Sequence, residues 1–245
     1  MSKQTLSLAA VCIGLLIAFS SLPAAATVWD LATDFASVNN NDPTGIWHFG
    51  ITNHAPYSGV PPTAFTQLFT QYQLGYGTGE LGSGPAWMDP NQSWVGICQS
   101  DGNATGGGPY DFPLGKVGGH GPTGASWTAP RDMVVNITGG AWMIRIPPLG
   151  RVNSVLVVVD GIGFLLPETE IPQQFGTNSS NPLSFAYSNV SVLQGQNVWL
   201  SSKYLSQYDY VGFDLTIAEV PEPGSLCALA GGLVGLVGFA IRRRR

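Results

Sequence analysis

Met133-Val134-Val135-Asn136-Ile137, then Ala141-Trp142-Met143-Ile144-Arg145-Ile146, then the run from Val152 to Asp160 decide the fold. β-Branched and aromatic residues crowd these short runs, and Gly, Pro or Asn separates them, which is the chemistry of strands and turns. The pattern extends in both directions. Upstream, Val28 to Val38 alternates in part, and Ile46-Trp47-His48-Phe49-Gly50-Ile51 is aromatic and compact. Downstream come Leu183 to Leu193, Asn197 to Ser201 and Tyr208 to Ala218. Nothing between residues 27 and 220 carries a long 3.6-residue apolar period with helix caps. The reading is an all-β body, a two-sheet sandwich. The stretch from Gly75 to Gly124, dense in Gly and Pro, is expected to form long loops along one edge, anchored by Trp87 and Trp94.

Composition narrows the function. The 245 residues include 32 Gly and 18 Pro but only 10% charged residues, too few for a coiled coil or a charge-driven disordered tail. The length allows one domain of up to about 200 residues plus accessory segments. Between residues 27 and 220, fourteen acids face five bases (Lys116, Arg131, Arg145, Arg151 and Lys203), a net charge of −9. Such a body offers no basic footprint for phosphate backbones, so nucleic acid is not an expected partner. Cys12 and Cys227 lie in the apolar ends, leaving Cys98 alone in the body. That excludes an internal disulfide or a Cys-based zinc site, and Cys98 reads as a small buried hydrophobe.

The two ends address the chain. Lys3, an apolar run from Leu6 to Phe19, and small residues at Ala24 and Ala26 form a secretory signal over residues 1–26. At the other end, Gly224 to Ile241 is free of charge and is followed by Arg242, Arg243, Arg244 and Arg245. As a helix the uncharged segment is about 27 Å long, near the lower limit for crossing a bilayer core. The arginines would hold the extreme C-terminus on the cytoplasmic side, with the body outside. Gly231 and Gly235 give one small-residue spacing for close helix packing. Pro221 and Pro223 bar regular helix and keep the junction extended, in reach of a protease.

Val220-Pro221-Glu222-Pro223-Gly224-Ser225, one apolar helix and a basic tail together resemble the PEP-CTERM sorting signal of Gram-negative bacteria. The resemblance covers about the last 25 residues. It implies recognition by exosortase, a membrane cysteine protease-like enzyme that cuts near Pro221, Glu222 and Pro223. It also implies transient anchoring in the inner membrane, co-occurrence with exopolysaccharide production, and delivery of the body to the envelope or extracellular matrix. The chain then divides into a signal peptide (1–26), a sandwich domain (27–220) and a sorting signal (221–245).

The body carries a looser resemblance. Trp29-Asp30-Leu31-Ala32-Thr33-Asp34-Phe35 and Asn41 to Gly50 look like the opening of jelly-roll domains associated with PEP-CTERM proteins, which are similar to galactose-binding-like and carbohydrate-binding modules. His120-Gly121-Pro122, Trp127-Thr128-Ala129-Pro130, Gly195-Gln196-Asn197-Val198 and Val211 to Ile217 fit later strands and turns of that pattern. Met133, Ala125-Ser126 and Gln196 depart from it. The resemblance implies a jelly-roll-like fold and transfers no ligand site.

Residues that suggest chemistry are few. His48, His54 and His120 lack zinc spacing and read as turn or surface histidines. Asp30, Asp34, Asp42, Asp160 and Asp214 are the carboxylates that could serve a structural Ca²⁺; no other cofactor and no metal cluster is expected. Glu168 and Glu170 are the only close Glu pair for a glycosidase, and their place near Leu165-Leu166 reads as a solvated loop. No nucleophile elbow, P-loop or dinucleotide fingerprint occurs. Sugars stack their C–H faces on aromatic rings, and Trp87, Tyr204, Tyr208 and Tyr210 are the candidates for that, set among loop residues. Trp29, Trp47, Trp127, Trp142 and Trp199 lie in strand runs and are expected in the core. The expectation is a non-catalytic exported body with affinity for extracellular polysaccharide. The alternatives are a secreted carbohydrate-active enzyme and a self-associating adhesin.

Overall fold

The computed structural model describes residues 26–40, 42, 44–75, 80–104, 110–145, 152–172, 178–204 and 210–221. The expected signal segment, apart from Ala26, and the apolar C-terminal segment with its arginines lie outside the described residues. Among the described residues no helix is long and apolar enough to cross a membrane.

Val28–Glu219 folds as one unit, with fourteen strands among the described residues, in two antiparallel sheets. In chain order they are β1 (Val28–Asp30), β2 (Trp47–Thr52), β3 (Phe65–Leu68), β4 (Gln71–Leu74), β5 (Pro85–Asp89), β6 (Gln92–Gln99) and β7 (Val117–His120). Then follow β8 (Gly124–Thr128), β9 (Met133–Met143), β10 (Asn153–Val159), β11 (Gly163–Glu170), β12 (Leu183–Val192), β13 (Asn197–Tyr204) and β14 (Tyr210–Glu219). One sheet runs β12-β9-β14-β7-β6-β5-β4, with β1 joined to the far half of β14. The other runs β11-β10-β13-β8-β2-β3. From β8 onward the chain passes back and forth between the sheets, returning within one sheet only at the β10–β11 hairpin.

Strand alternation builds the core. Val135, Ile137 and Ala141 of β9 and Val211, Phe213, Leu215 and Ile217 of β14 point inward from the larger sheet. Trp47, Phe49, Trp127, Val155, Val157, Val159, Val198 and Leu200 meet them from the smaller one. β10 is buried on both faces, which explains its unbroken apolar sequence: Leu156 and Val158 turn outward and pack with Trp199 under Phe65 and Phe164. Trp47, Trp127, Trp142 and Trp199 are buried as expected, and Trp29 is half-buried against Trp127.

Two sequence expectations fail for local reasons. Val28 to Val38 is not one strand, because Asp30 ends β1 and caps a helical turn, α1 (Leu31–Asp34), by accepting from the Thr33 amide at 2.9 Å. A 3₁₀ turn (Phe35–Ser37) follows, and Leu31 and Phe35, four apart, bury on one side. The Gly75–Gly124 stretch is not loop throughout, since it holds β5, β6 and β7. Its glycines are packing sites as much as turns: a Cβ at Gly118 would run into Ile144, and one at Gly96 into Met88.

Candidate functional site

Tyr210 opens β14 directly opposite His120 of β7, and His120 in turn pairs with Gly96 of β6. All three positions face outward from the larger sheet. Because Gly96 has no side chain, the His120 ring reaches past it to Trp94, which packs edge-on at 5.6 Å, while Tyr210 lies 4.5 Å away on the other side. Tyr110 continues the row at 6.0 Å from Tyr210. Two polar groups frame it. One oxygen of Glu80 accepts from the Tyr210 hydroxyl and, at 3.5 Å, from Tyr110; the Arg145 guanidinium stands 6.0 Å over the Tyr110 ring. His120 Nδ1 is fixed on the Trp94 carbonyl at 2.7 Å. The row grades from open to closed: Trp94 is 37% exposed, while Tyr210 is 6% exposed and stands on Leu81, Met88, Phe112 and Ile144.

The other aromatic candidates fare differently. Trp87 lies in β5, 5% exposed within the core, with Tyr72 edge-on at 5.2 Å, so it is not the loop platform expected of it. Alternation along Trp87-Met88-Asp89 put its ring between the sheets. Tyr208 and the Tyr204 side chain lie outside the described residues. Trp94, His120, Tyr110, Glu80 and Arg145 were missed as partners of Tyr210. The one signal that could have found them was the alternation carrying Trp94 and Cys98 onto one face of β6.

A second polar constellation was not anticipated. Thr52, Ser201 and Lys203 share the outer face of the smaller sheet under the segment between β2 and β3. The Ser201 and Thr52 hydroxyls are 2.7 Å apart, and Thr52 Oγ1 is 2.9 Å from His54 Nδ1. Lys203 Nζ donates to the Thr52 carbonyl at 2.9 Å. His54 and Lys203 are each 6% exposed, which corrects the surface placement of His54. Burial, with Lys203 adding a like charge, pushes the His54 imidazole down to about 4; burial likewise lowers the Lys203 ammonium to about 8, partly offset by Glu168. Glu168 is not on a solvated loop. It lies in β11, accepts from Ser154 Oγ at 2.5 Å and from the Tyr57 amide, and so pins the overlying segment. Both its oxygens are engaged, unlike those of a carboxylate waiting for a glycosidic bond.

The five Asp candidates for Ca²⁺ are dispersed on internal donors. Asp30 receives Thr33 N and Thr216 Oγ1; Asp160 receives Trp199 Nε1 and both nitrogens of Asn197; Asp214 pairs with Lys116 at 2.8 Å. Burial works against the Asp30 carboxylate, but the Thr33 amide and Thr216 hydroxyl outweigh it and hold it below the ordinary Asp range. Among the described residues no three His, Cys, Asp or Glu form a group able to hold a metal ion. Asp34 and Asp42 remain, lining a cleft of about 350 Å³ beside α1 with Trp29 and Trp47. Cys98 is 1% exposed, and burial pushes its thiol far up, so it is not a nucleophile.

Fold and sites together define an all-β sandwich body placed ahead of a C-terminal sorting signal. Residues 219–245 match the PEP-CTERM protein-sorting motif, a motif that implies export, C-terminal membrane anchoring before processing, and handling by exosortase. The body is similar in structure to the carbohydrate-binding module TmCBM61, solved in complex with β-1,4-galactotriose: 17% identity, TM-score 0.33, covering 60% of this chain and 94% of that one. It also matches part of a ruminal GH26 endo-β-1,4-mannanase, with 19% identity and TM-score 0.24 over 42% of this chain and 18% of that one. No curated protein matches the chain.

Proposed function

We propose that the chain is exported by a signal peptide at residues 1–26, held in the inner membrane by a helix over Gly224 to Ile241, and released to the envelope or extracellular matrix by exosortase. Its body is a non-catalytic module with jelly-roll-like connections that contacts extracellular polysaccharide at the Trp94–His120 end of the outward aromatic row. The row itself carries this reading: an exposed indole beside an imidazole presents apolar faces for a sugar ring. Toward the other end of the row, Glu80 and Arg145 add an acceptor and a donor for hydroxyls of a longer chain. Tyr204 and Tyr208, which precede β14 in sequence, belong to the same proposal. Full engagement of Glu168 supports binding over hydrolysis.

The test is a glycan array on the full-length protein in detergent, compared with Trp94→Ala. Binding of at least one polysaccharide fragment, lost about tenfold or more in the variant, is expected from the stacking contribution of one ring. Equal binding by the two proteins, or release of reducing sugar from a bound fragment, overturns it.

A further inference from the structure

The cleft at Trp29 and Trp47 lies apart from the aromatic row, and its walls have a different chemistry. Trp29 and Ile46 give it apolar surface; Asp34, Asn39 and Asp42 give it polar surface; and among the described residues no Lys, Arg or His lines it. Local bonds explain why it stays open. Asn40 acts as a false strand neighbour, donating to the Phe49 carbonyl at 2.9 Å and to the Phe69 carbonyl while accepting from the Phe49 amide at 2.6 Å. That staples the segment before β2 against the smaller sheet. On the other side, Asp34 Oδ2 accepts from the Asp30 amide at 3.1 Å and from Trp47 Nε1 at 3.0 Å, which fixes α1 to β2.

Each carboxylate keeps one oxygen without a donor among the described residues. Asp34 uses Oδ2, leaving Oδ1; Asp42 uses Oδ1 for the Thr44 amide and hydroxyl, leaving Oδ2. The Thr44 hydroxyl, then its amide and, less strongly, the neighbouring His48 hold the Asp42 carboxyl below the ordinary Asp range, so it is anionic at neutral pH. Two acceptor oxygens fall far short of the six to eight that Ca²⁺ takes. An ammonium has only three N–H donors and gains further from an indole face. The volume of about 350 Å³ is at the low end for small-molecule sites, about 300–1,000 Å³, which suits a ring or two and not a long polymer segment. A flat C–H face matches the Trp29 indole better than a thin alkyl stem does.

We propose that this cleft binds a cationic amino sugar, its protonated amine between Asp34 and Asp42 and its ring against Trp29. The site is separate from the Trp94 row and does not rest on it.

The experiment is calorimetric titration of the full-length protein in detergent at about pH 6, where amines are protonated. The probes are a glucosamine tetramer, its N-acetylated counterpart, and Nα-acetyl-lysine amide. Saturable binding of the glucosamine tetramer is expected. N-acetylation should weaken it about tenfold or more, since it removes the cation that both carboxylates hold, and Asp42→Asn, which removes one charge-assisted contact, should also weaken it about tenfold. Asn keeps an oxygen for the Thr44 amide, so the turn is preserved. Raising NaCl from about 50 to about 500 mM should weaken it. Equal affinity for the two tetramers, an unaffected Asp42→Asn variant, or lysine amide binding as tightly as the glucosamine tetramer would each overturn the proposal.

Discussion

The ammonium of Lys203, near the end of β13, donates to the main-chain carbonyl of Thr52, the last residue of β2, across 2.9 Å. β8 begins at Gly124, which pairs with Ser201 on one side and Gly50 on the other. Beyond that point β8 no longer separates β13 from β2. The Ser201 hydroxyl and the Lys203 chain complete the join, and Glu168 closes the layer by holding the Tyr57 amide. A charge 6% exposed is expensive to bury unless it is paired, and one carbonyl with a nearby carboxylate compensates it only in part.

That incomplete compensation sets a pH dependence. Lys203 titrates near 8 in the fold and near the usual 10.5 when unfolded, so between those values the unfolded chain binds more protons. Stability attributable to this group therefore rises as pH goes from about 8 to 10.5. Urea midpoints of the wild type minus those of Lys203→Met should climb over that window. Taking the difference removes Tyr57 and Tyr187, whose raised values act in the opposite sense. A flat difference would mean that the ammonium is not buried.

His54 works at the acid end. Its Nε2 is buried with no hydrogen-bond partner among the described residues, and protonation would put a second cation beside Lys203. With a folded value near 4 against about 6.5 unfolded, stability is lost as pH falls from 6.5 to 4 and levels off below. In His54→Phe the Thr52 hydroxyl keeps its Ser201 partner, so the variant should fold. Relative to it, the wild type should lose about 2 kcal/mol across the window, allowing for some hydration of the ring. Denaturant melts at pH 7, 5.5 and 4 would read this directly.

Strand identity was legible where β-branched residues alternate, as along Met133 to Met143, or run unbroken, as along Asn153 to Val159, because each such run needs only its own sequence to show its buried faces. Glycine misled the reading. In Gly75–Gly124 the same residue serves turns, as at Gly102 and Gly115 with positive φ, and flat strand contacts, as at Gly118 and Gly119. Sequence alone does not separate those uses. The polar join was illegible for another reason: Thr52 and Ser201 are 149 residues apart, and no local pattern announces a contact of that range. The Tyr210 row was half legible. Tyr210 was singled out for its loop-like surroundings, but it is 6% exposed, and its neighbours come from β6, β7 and the segments around Glu80 and Tyr110, which only the register brings together.

Gly212 supplies a sharp test of the packing role. A Cβ there would enter the Trp142 ring, whose Nε1 is already tied to the Asp111 carbonyl at 2.9 Å and cannot swing away without breaking that bond. The entropy gained on Gly→Ala, about 0.4–1 kcal/mol, is outweighed by overpacking of about 1–3 kcal/mol. Gly212→Ala should destabilise by about 2 kcal/mol. Gly59→Ala, at φ +67 in open space, should cost only the left-handed strain of about 1 kcal/mol. Equal losses at the two positions, measured by urea unfolding, would refute the contact argument.

The end of β14 determines what processing does to the body. Ile217, Ala218 and Glu219 pair with Ile137, Asn136 and Val135 of β9, while Val28, Trp29 and Asp30 cover the opposite edge of the same strand through Ala218, Ile217 and Thr216. The Glu219 carboxylate adds a 2.6 Å ion pair with Arg131. Pairing stops there, and Pro221 is exposed. Every strand pair of the described sandwich therefore lies ahead of Pro221 and stays in the trimmed protein. Replacing Pro221-Glu222-Pro223 with alanines should abolish C-terminal trimming in the native host, read by mass spectrometry of the terminal peptide. The trimmed and untrimmed proteins should nevertheless melt within about 2 °C of each other, because the described strand ladder, which ends at Glu219, is whole in both. Intact arginine tails on most wild-type molecules would defeat the sorting proposal, and a large drop in melting temperature on trimming would show that the terminal segment supports the sandwich after all.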